Sequence, residues 1–263
     1  MNARLHNRQP AQFAAMTGSP TLGEITPSVG SGMPLGAGGV RKQKLKALDL
    51  FCGAGGASKG LADAGFEVTG VDIVRRKNYP FAFIEGDALK ADTTGYDLIW
   101  ASPPCQAYTQ AALSQRNAGK VYPDLMAATR AKLEASGVPF IIENTPGAPM
   151  RVDVVLCGSM FGLRLVRHRW FECSFPIFRL FTPCVHHPNP IVATGHGTPT
   201  WSRIKNGGKC YKITEVRDAM GIHWMNRGEL SQAIPPAYSR WLAEQFLLDE
   251  LCGGGPTGGS NAR

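Results

Sequence analysis

No apolar run in this 263-residue chain approaches the length needed to cross a bilayer, and the N-terminus lacks a secretory h-region. Both absences point to a cytoplasmic protein with no membrane partner. Internal repeats are missing, which excludes solenoids and propellers. Seven scattered cysteines, an odd number, do not form a disulfide framework, so reduced thiols are expected. There is also no Cys-x₂-Cys pair. Cys173, Cys184, His186, His187, His196 and Cys210 are close in sequence, but adjacent histidines cannot easily ligate one ion, and no metal is expected. Acids are scarce, with 20 Asp/Glu against 28 Lys/Arg and a net charge of +8. The excess is uneven. Residues 1–46 hold six Lys/Arg and one Glu, and residues 151–217 hold ten Lys/Arg and three acids. A basic segment beside a more acidic core points to a polyanion partner, most simply nucleic acid.

What is present is a core. A hydrophobic content of 43% and a charged content of 18% describe a globular protein. Residues 1–46 and 253–263, rich in Gly, Pro, Ser and Thr without apolar periodicity, are expected to be a disordered basic segment and a flexible tail. Between them, short apolar runs alternate with helical patterns. Strands are expected at 47–51, 66–72, 81–87, 96–100 and 139–144, and helices after Ser58 through about Gly65, near 122–136, near 214–221 and near 236–251. The last carries an amphipathic face through Leu242, Phe246 and Leu247. Alternation of this kind predicts a doubly wound α/β fold with a mostly parallel sheet. Residues 47–171 with 211–252 form the expected catalytic and cofactor-binding domain. Residues 172–210, dominated by Pro, His, Gly and Thr, form a small irregular lobe.

The most informative segment is Ala101-Ser-Pro-Pro-Cys-Gln106. A strand that runs into Pro-Pro cannot continue its ladder, because proline has no N–H and a fixed φ. Cys105 is thus expected on a rigid loop past a strand's carboxyl end, where open α/β sheets bind ligands. Taken alone, a cysteine is more often a small inert core residue.

Cys52-Gly53-Ala54-Gly55-Gly56 turns the first strand into the first helix, where bare backbone can approach a ligand. Asp72 closes the second strand, placed for a ribose hydroxyl pair, and Asp87 closes the third, placed for an adenine amino group. The glycine spacing is not Gly-x-Gly-x-x-Gly, and no P-loop Lys follows. An adenosyl ligand without pyrophosphate fits better than NAD or ATP.

Phe51-Cys-Gly-Ala-Gly-Gly, Ser102-Pro-Pro-Cys-Gln and Ile142-Glu-Asn144 occur in that order, and with them the chain resembles the cytosine-5 DNA methyltransferase family. Arg167-His-Arg169-Trp-Phe is similar to the family's Gln-x-Arg-x-Arg block. Ile213-Thr-Glu-Val-Arg217 through Ala233-Ile-Pro-Pro236 resembles its closing motifs. The resemblance spans roughly residues 47–248. Leu165 stands where the family has Gln, and Ser231-Gln232 replaces a Gly-Asn pair. The stretch in place of the target-recognition region, 172–210, is short, which predicts limited base readout and a short or relaxed target.

The resemblance implies a DNA (cytosine-5-)-methyltransferase of the S-adenosylmethionine-dependent fold. Its implied cofactor is S-adenosyl-L-methionine, held by Phe51, Gly53, Gly55, Gly56, Asp72, Ile73, Asp87, Pro103 and Gln232. Its catalytic set is Cys105, Glu143, Arg169 and Arg167. Cytosine C5 is too weak a nucleophile to take a methyl group directly. Cys105 thiolate, left available by the reduced compartment, adds at C6 and turns C5 into an enamine carbon. By resemblance, Glu143 contacts N3 and the exocyclic amino group, which requires a carboxyl kept protonated by burial. Arg169 donates to O2, and Arg167 is structural or touches the backbone. A base inside a duplex is out of reach, so it is flipped out, and the polar segment after Cys105 is expected to close over it. The implied partner is double-stranded DNA containing the target cytosine, bound by a monomer, with a cognate restriction enzyme as a candidate second partner. The alternatives are the same chemistry on RNA such as tRNA, or a catalytically inactive nucleic-acid-binding relative.

Overall fold

The computed structural model of the chain describes residues 44–109, 112–178, 183–191, 193 and 211–253. The basic segment before residue 44, the tail after 253 and most of the expected lobe, including His196, Trp201 and Cys210, lie outside the described residues.

Among the described residues the strands and α-helices follow in chain order: β1 (Lys46–Leu50), α1 (Gly56–Asp63), β2 (Glu67–Asp72), β3 (Ala82–Glu85), β4 (Leu98–Ala101), α2 (Leu113–Asn117), α3 (Met126–Ser136), β5 (Phe140–Asn144), β6 (Val154–Leu156), β7 (Arg169–Cys173), α4 (Ile213–Met220), α5 (Arg227–Gln232) and α6 (Pro236–Leu251). The strands make one sheet in the order β3-β2-β1-β4-β5-β7-β6. Its members are parallel from β3 to β5, and β7 runs antiparallel to both β5 and β6. This is the doubly wound, mostly parallel sheet that the strand–helix alternation predicts.

Successive side chains of a strand point to opposite faces, so a sheet covered on both sides needs continuous apolar runs. β4 shows this: Leu98 and Trp100 join one core with Leu61 of α1 and Tyr238, Trp241, Leu242 and Phe246 of α6. Ile99 and Ala101 join the other, with Met126 and Leu133 of α3. A residue with a side chain at Gly60 would put its Cβ 2.1 Å from both the Pro236 carbonyl and Ser239 Oγ. Glycine there is what lets α1 lie directly on α6, where Ser239 Oγ donates to the Ala57 carbonyl at 2.9 Å.

The third core cluster gathers Val216, Ala219, Met220, Ile222, Met225 and Leu230 around Leu165, Ile191 and Ala193. α3 begins at Met126, later than expected, because Pro123 precedes a turn in which Asp124 Oδ1 accepts from the Met126 amide at 3.1 Å. The antiparallel pair β6–β7 and the short α5 are additions to the expected elements. β7 also runs to Cys173, so an irregular lobe starting at 172 would cut a core strand. The strand escapes an apolar search because it reads Arg-Trp-Phe-Glu-Cys. Its charges are neutralised by distant partners: Glu172 is buried and forks onto Arg130, with Nε–Oε1 2.9 Å and Nη2–Oε2 2.7 Å. Among the described residues, no helix is long and apolar enough to cross a membrane.

Candidate active site

Strand order reverses between β1 and β4, and ligands of open α/β sheets bind at such a switch point. A cleft of about 1060 Å³ opens there, at the carboxyl ends of the parallel strands. Its floor and two walls come from different elements.

One wall is the turn after β1. Phe51 adopts φ 59°, left-handed backbone that is rare outside glycine, and Gly53 follows at φ 52°. The turn is pinned from β2. Asp72 Oδ2 accepts from the Gly53 amide at 3.0 Å, and Oδ1 from the Val74 amide at 3.1 Å. Asp87 sits past β3, where Oδ1 accepts from the Leu89 amide at 3.0 Å and starts a 3₁₀ turn. Phe51, Gly53, Gly56, Asp72, Ile73, Asp87, Pro103 and Gln232 all line the cleft, as expected of a cofactor site. Ile73 is 71% exposed there, a bare apolar face at a ligand's edge. Gly55 is the exception among the expected residues. It lies outside the lining, and a Cβ on it would sit 2.9 Å from the Tyr79 ring, so its role is in the turn.

Asp49, beneath this turn, is a further cleft residue that strand patterning hides, because it reads as one polar letter inside β1. Its carboxylate is fully buried and accepts from Ser58 Oγ, which in turn lies 2.8 Å from Tyr79 Oη. The other oxygen, Oδ1, has no hydrogen-bond partner among the described residues. Burial pushes its pKa up to about 7, partly offset by Ser58. A wall of carboxylate acceptors, an exposed apolar side chain and no cation in the glycine turn fit an adenosyl group without pyrophosphate.

The opposite wall is built by β4, β5 and β7. Trp100 Nε1 donates to Ser102 Oγ at 2.8 Å, and Asn144 Nδ2 donates to the Pro103 carbonyl at 3.0 Å. Asn144 therefore ties the end of β5 to the Pro-Pro turn that carries Cys105. It is a positioning residue to which the Glu-Asn pair gives the only sequence signal. Glu143, buried at the end of β5, forms an ion pair with Arg169 at the start of β7, Oε1 to Nε 3.0 Å. Burial raises the Glu143 carboxyl, and Arg169, a Ser102 hydrogen bond and Arg167 pull it back. Burial also raises the Cys105 thiol, Glu143 raises it further, and Arg169 and Arg167 act the other way. The net direction is up. Cys105 is thus a thiol at neutral pH, not the ready thiolate that a reduced compartment alone suggests.

Arg167 lies apart from Cys105, Glu143 and Arg169. It is 3% exposed and does not line the cleft. Its Nη2 donates to the Ser231 carbonyl at 2.9 Å, and its own carbonyl accepts from Tyr238 Oη at 2.7 Å. Burial lowers its pKa to about 9. Ser231 thus meets the arginine block through its backbone, beside Gln232 on the cleft wall. The segment after Cys105 forms the rim: Thr109, Ala112 and Gln115 line the cleft, and Arg116 donates to the Gln106 and Thr109 carbonyls at 2.7 and 2.8 Å. Lys120 and Arg76, not singled out from sequence, add cations to the lining.

Residues 45–148 match the family model described as C-5 cytosine-specific DNA methylase. Over that stretch the chain is similar to the cytosine-5 methyltransferases. Solved structures share its fold. A triple mutant of DNMT2 from Spodoptera frugiperda is 14% identical, with a TM-score of 0.52 over 77% of this chain and 99% of that one. The Entamoeba histolytica methyltransferase EhMeth is 11% identical, with a TM-score of 0.52 over 80% and 99%. Dnmt2 methyltransferase from S. pombe is 13% identical, with a TM-score of 0.50 over 80% and 99%. No curated protein matches the chain. For a cytosine-5 methyltransferase the methyl donor is S-adenosylmethionine, in keeping with the pyrophosphate-free wall described above.

Proposed function

We propose that this methyltransferase acts on DNA, methylating C5 of a cytosine extruded from the duplex through a covalent adduct with Cys105. The observation that carries the reading is the buried Glu143–Arg169 pair, 3.0 Å apart, facing the Pro-Pro loop of Cys105 across one cleft. A carboxyl that burial raises and a guanidinium tied to it make a pair suited to the Watson–Crick edge of a cytosine once the carboxyl takes up a proton.

In this reading Phe51, Gly53, Gly56, Asp72, Ile73, Asp87, Pro103 and Gln232 hold S-adenosylmethionine, which supplies an electrophilic methyl group when bound. Glu143 donates a proton to N3 while Arg169 donates to O2, and together they draw electron density from C6. Cys105 gives up its proton to water in the cleft and its sulfur bonds to C6 while the ring electrons shift toward the protonated N3, leaving an enamine whose C5 is the methyl acceptor. After transfer, water takes the C5 proton, the C5–C6 double bond re-forms as the C6–S bond breaks to the Cys105 thiolate, and N3 returns its proton to Glu143. Because Cys105 starts protonated, its deprotonation is coupled to substrate binding, when the charge on Glu143 that opposes the thiolate is cancelled. Arg167 acts indirectly, bracing β7 against α5 and α6. Lys120 and Arg76 on the cleft lining, and the overall net charge of +8, supply phosphate attraction.

The test is transfer of tritiated methyl groups from S-adenosylmethionine to DNA and RNA of matched sequence. Incorporation into DNA, mapped to cytosine by bisulfite sequencing, is the expected result. Labelling of RNA alone overturns the DNA assignment, and labelling of neither overturns the enzyme reading.

A further inference from the structure

Away from the cleft, four side chains with no part in this chemistry converge beside the antiparallel end of the sheet. Cys157 follows β6 and starts the 3₁₀ turn Gly158–Phe161, and His168 is the last residue before β7. Cys184 and His186 come from the segment 183–191. One ligand atom from each, two sulfurs and two imidazole nitrogens, lie within 4.8 Å of one another. His186 Nε2 is 3.5 Å from Cys157 Sγ, and His168 Nε2 is 3.4 Å from Cys184 Sγ.

A tetrahedral zinc ion, with Zn–S of about 2.3 Å and Zn–N of about 2.0–2.1 Å, leaves adjacent S and N ligands about 3.6 Å apart. Two edges of the tetrahedron therefore already have this length. Simple hydrogen bonding would pair each thiol with one imidazole, but gives no reason for both pairs to share a centre. A Cys157–Cys184 disulfide would leave the two histidines without a purpose, and both cysteines are free. Two thiolates and two imidazoles around a closed centre select Zn²⁺ over harder ions such as Mg²⁺ or Ca²⁺. Ser159 Oγ donates toward Cys157 Sγ at 3.6 Å, a contact of the type that supports a metal-bound thiolate. His187 is outside the cluster, its Nδ1 accepting from the Asn189 amide at 3.0 Å, so neighbouring histidines do not compete for one ion.

We propose that Cys157, His168, Cys184 and His186 bind one structural Zn²⁺ that staples the segment 183–191 to the catalytic body. Its other fastenings include Arg164 Nε to the Asn189 carbonyl at 3.0 Å, the Ile191 amide to the Arg164 carbonyl at 2.8 Å, the Tyr211 hydroxyl to the Pro190 carbonyl at 2.8 Å, and Ile191 packed in the third core cluster, while Val185, His186, His187 and Asn189 lie exposed. A segment with so little core is where a metal contributes most. The staple also reaches the cleft. His168 separates Arg167 from Arg169, and its carbonyl accepts from Arg169 Nη1 at 2.8 Å, so fixing His168 fixes the origin of the guanidinium that meets Glu143.

The experiment uses untagged full-length protein, purified in reducing buffer without chelator from zinc-supplemented culture. Elemental analysis is expected to give one zinc per chain. Exchange with Co²⁺ is expected to give the visible absorption and thiolate charge-transfer bands of a tetrahedral site, saturating at one equivalent. The double variant Cys184→Ser/His186→Ala should lose both signals and lower Tm by about 5 °C or more, with S-adenosylmethionine binding kept. His187→Ala should keep the metal. Wild-type protein without stoichiometric zinc and without the cobalt bands overturns the proposal, whether or not the double variant folds. So does a folded double variant that still holds one zinc.

Discussion

The two walls of the cleft solve opposite electrostatic problems. On the β1–β3 side, the acids Asp72 and Asp87 are held by backbone amides, and no cation faces them from the glycine turn. Their charge is spread over peptide dipoles, which leaves a fixed rim of acceptors for hydroxyl and amino groups. On the β4–β5–β7 side, a carboxyl and a guanidinium are buried together; the guanidinium pulls down the carboxyl that burial raises, and the two act in opposite directions on Cys105. The first wall presents acceptors held in place by backbone amides. The second is arranged so that a proton can move. One sheet supports both because the parallel strands end in backbone turns, whereas the antiparallel β7 brings an arginine in from the opposite direction.

The contrast breaks most sharply at Cys105. Cys105→Ala should lower methyl transfer by more than about a thousandfold, with S-adenosylmethionine affinity, measured by calorimetry, within a few-fold of wild type. A matching loss of cofactor affinity would mean that the walls are not separable. Glu143→Gln keeps the shape and removes the mobile proton. It should lower kcat by about 10²–10³-fold and flatten the pH profile. For the wild-type enzyme, kcat/KM should climb as pH rises above neutrality, because the Cys105 thiol is shifted up and its thiolate fraction grows with pH.

Asp49 sharpens the comparison from the other side. Its pKa is raised to about 7 by burial, against about 4 in an unfolded chain, so the folded protein holds a proton there that the unfolded chain has released. The stability this supplies is complete below about pH 4 and is lost as pH rises through about 7, at up to about 1.4 kcal/mol per pH unit. Chemical denaturation of Asp49→Asn across that range should show the decline removed and little change at pH 4. Least in size is Arg130→Met, which strands the buried Glu172 carboxylate. It should cost about 2 kcal/mol in denaturant unfolding, with the cofactor wall unaffected.

The same contrast explains what could be read from the residues alone. β1, β2, β4, β5 and α6 are legible because the inner strands of a parallel sheet are covered and read as apolar runs, and β3, exposed at the sheet edge, still reads as a short apolar run. β7 is not, since Arg169 and Glu172 become compatible with a core only through Glu143 and Arg130 far along the chain, and β6 is only three residues long. At the site, Cys105, Glu143, Arg169 and Asp72 stand at element ends, where a strand's last letters expose them. Asn144 and Asp49 were hidden because their partners, the Pro103 carbonyl and Ser58, carry no sequence signature. The Cys157, His168, Cys184 and His186 cluster was hidden for the same reason. Among the described residues, Cys184 and His186 are the members of it that stand close in sequence, and the other two come from the ends of β6 and β7.

The central claim is a covalent step at one sulfur, and 5-fluorocytosine tests it most directly. Fluorine at C5 cannot leave as a proton does, so an enzyme that bonds to C6 is trapped on its substrate. Incubated with S-adenosylmethionine and duplex DNA carrying 5-fluorocytosine, the wild-type protein should form a complex stable to denaturing electrophoresis, and Cys105→Ala should form none. The same adduct forming with Cys105→Ala, or a wild-type enzyme that methylates DNA without ever being trapped, would contradict the account.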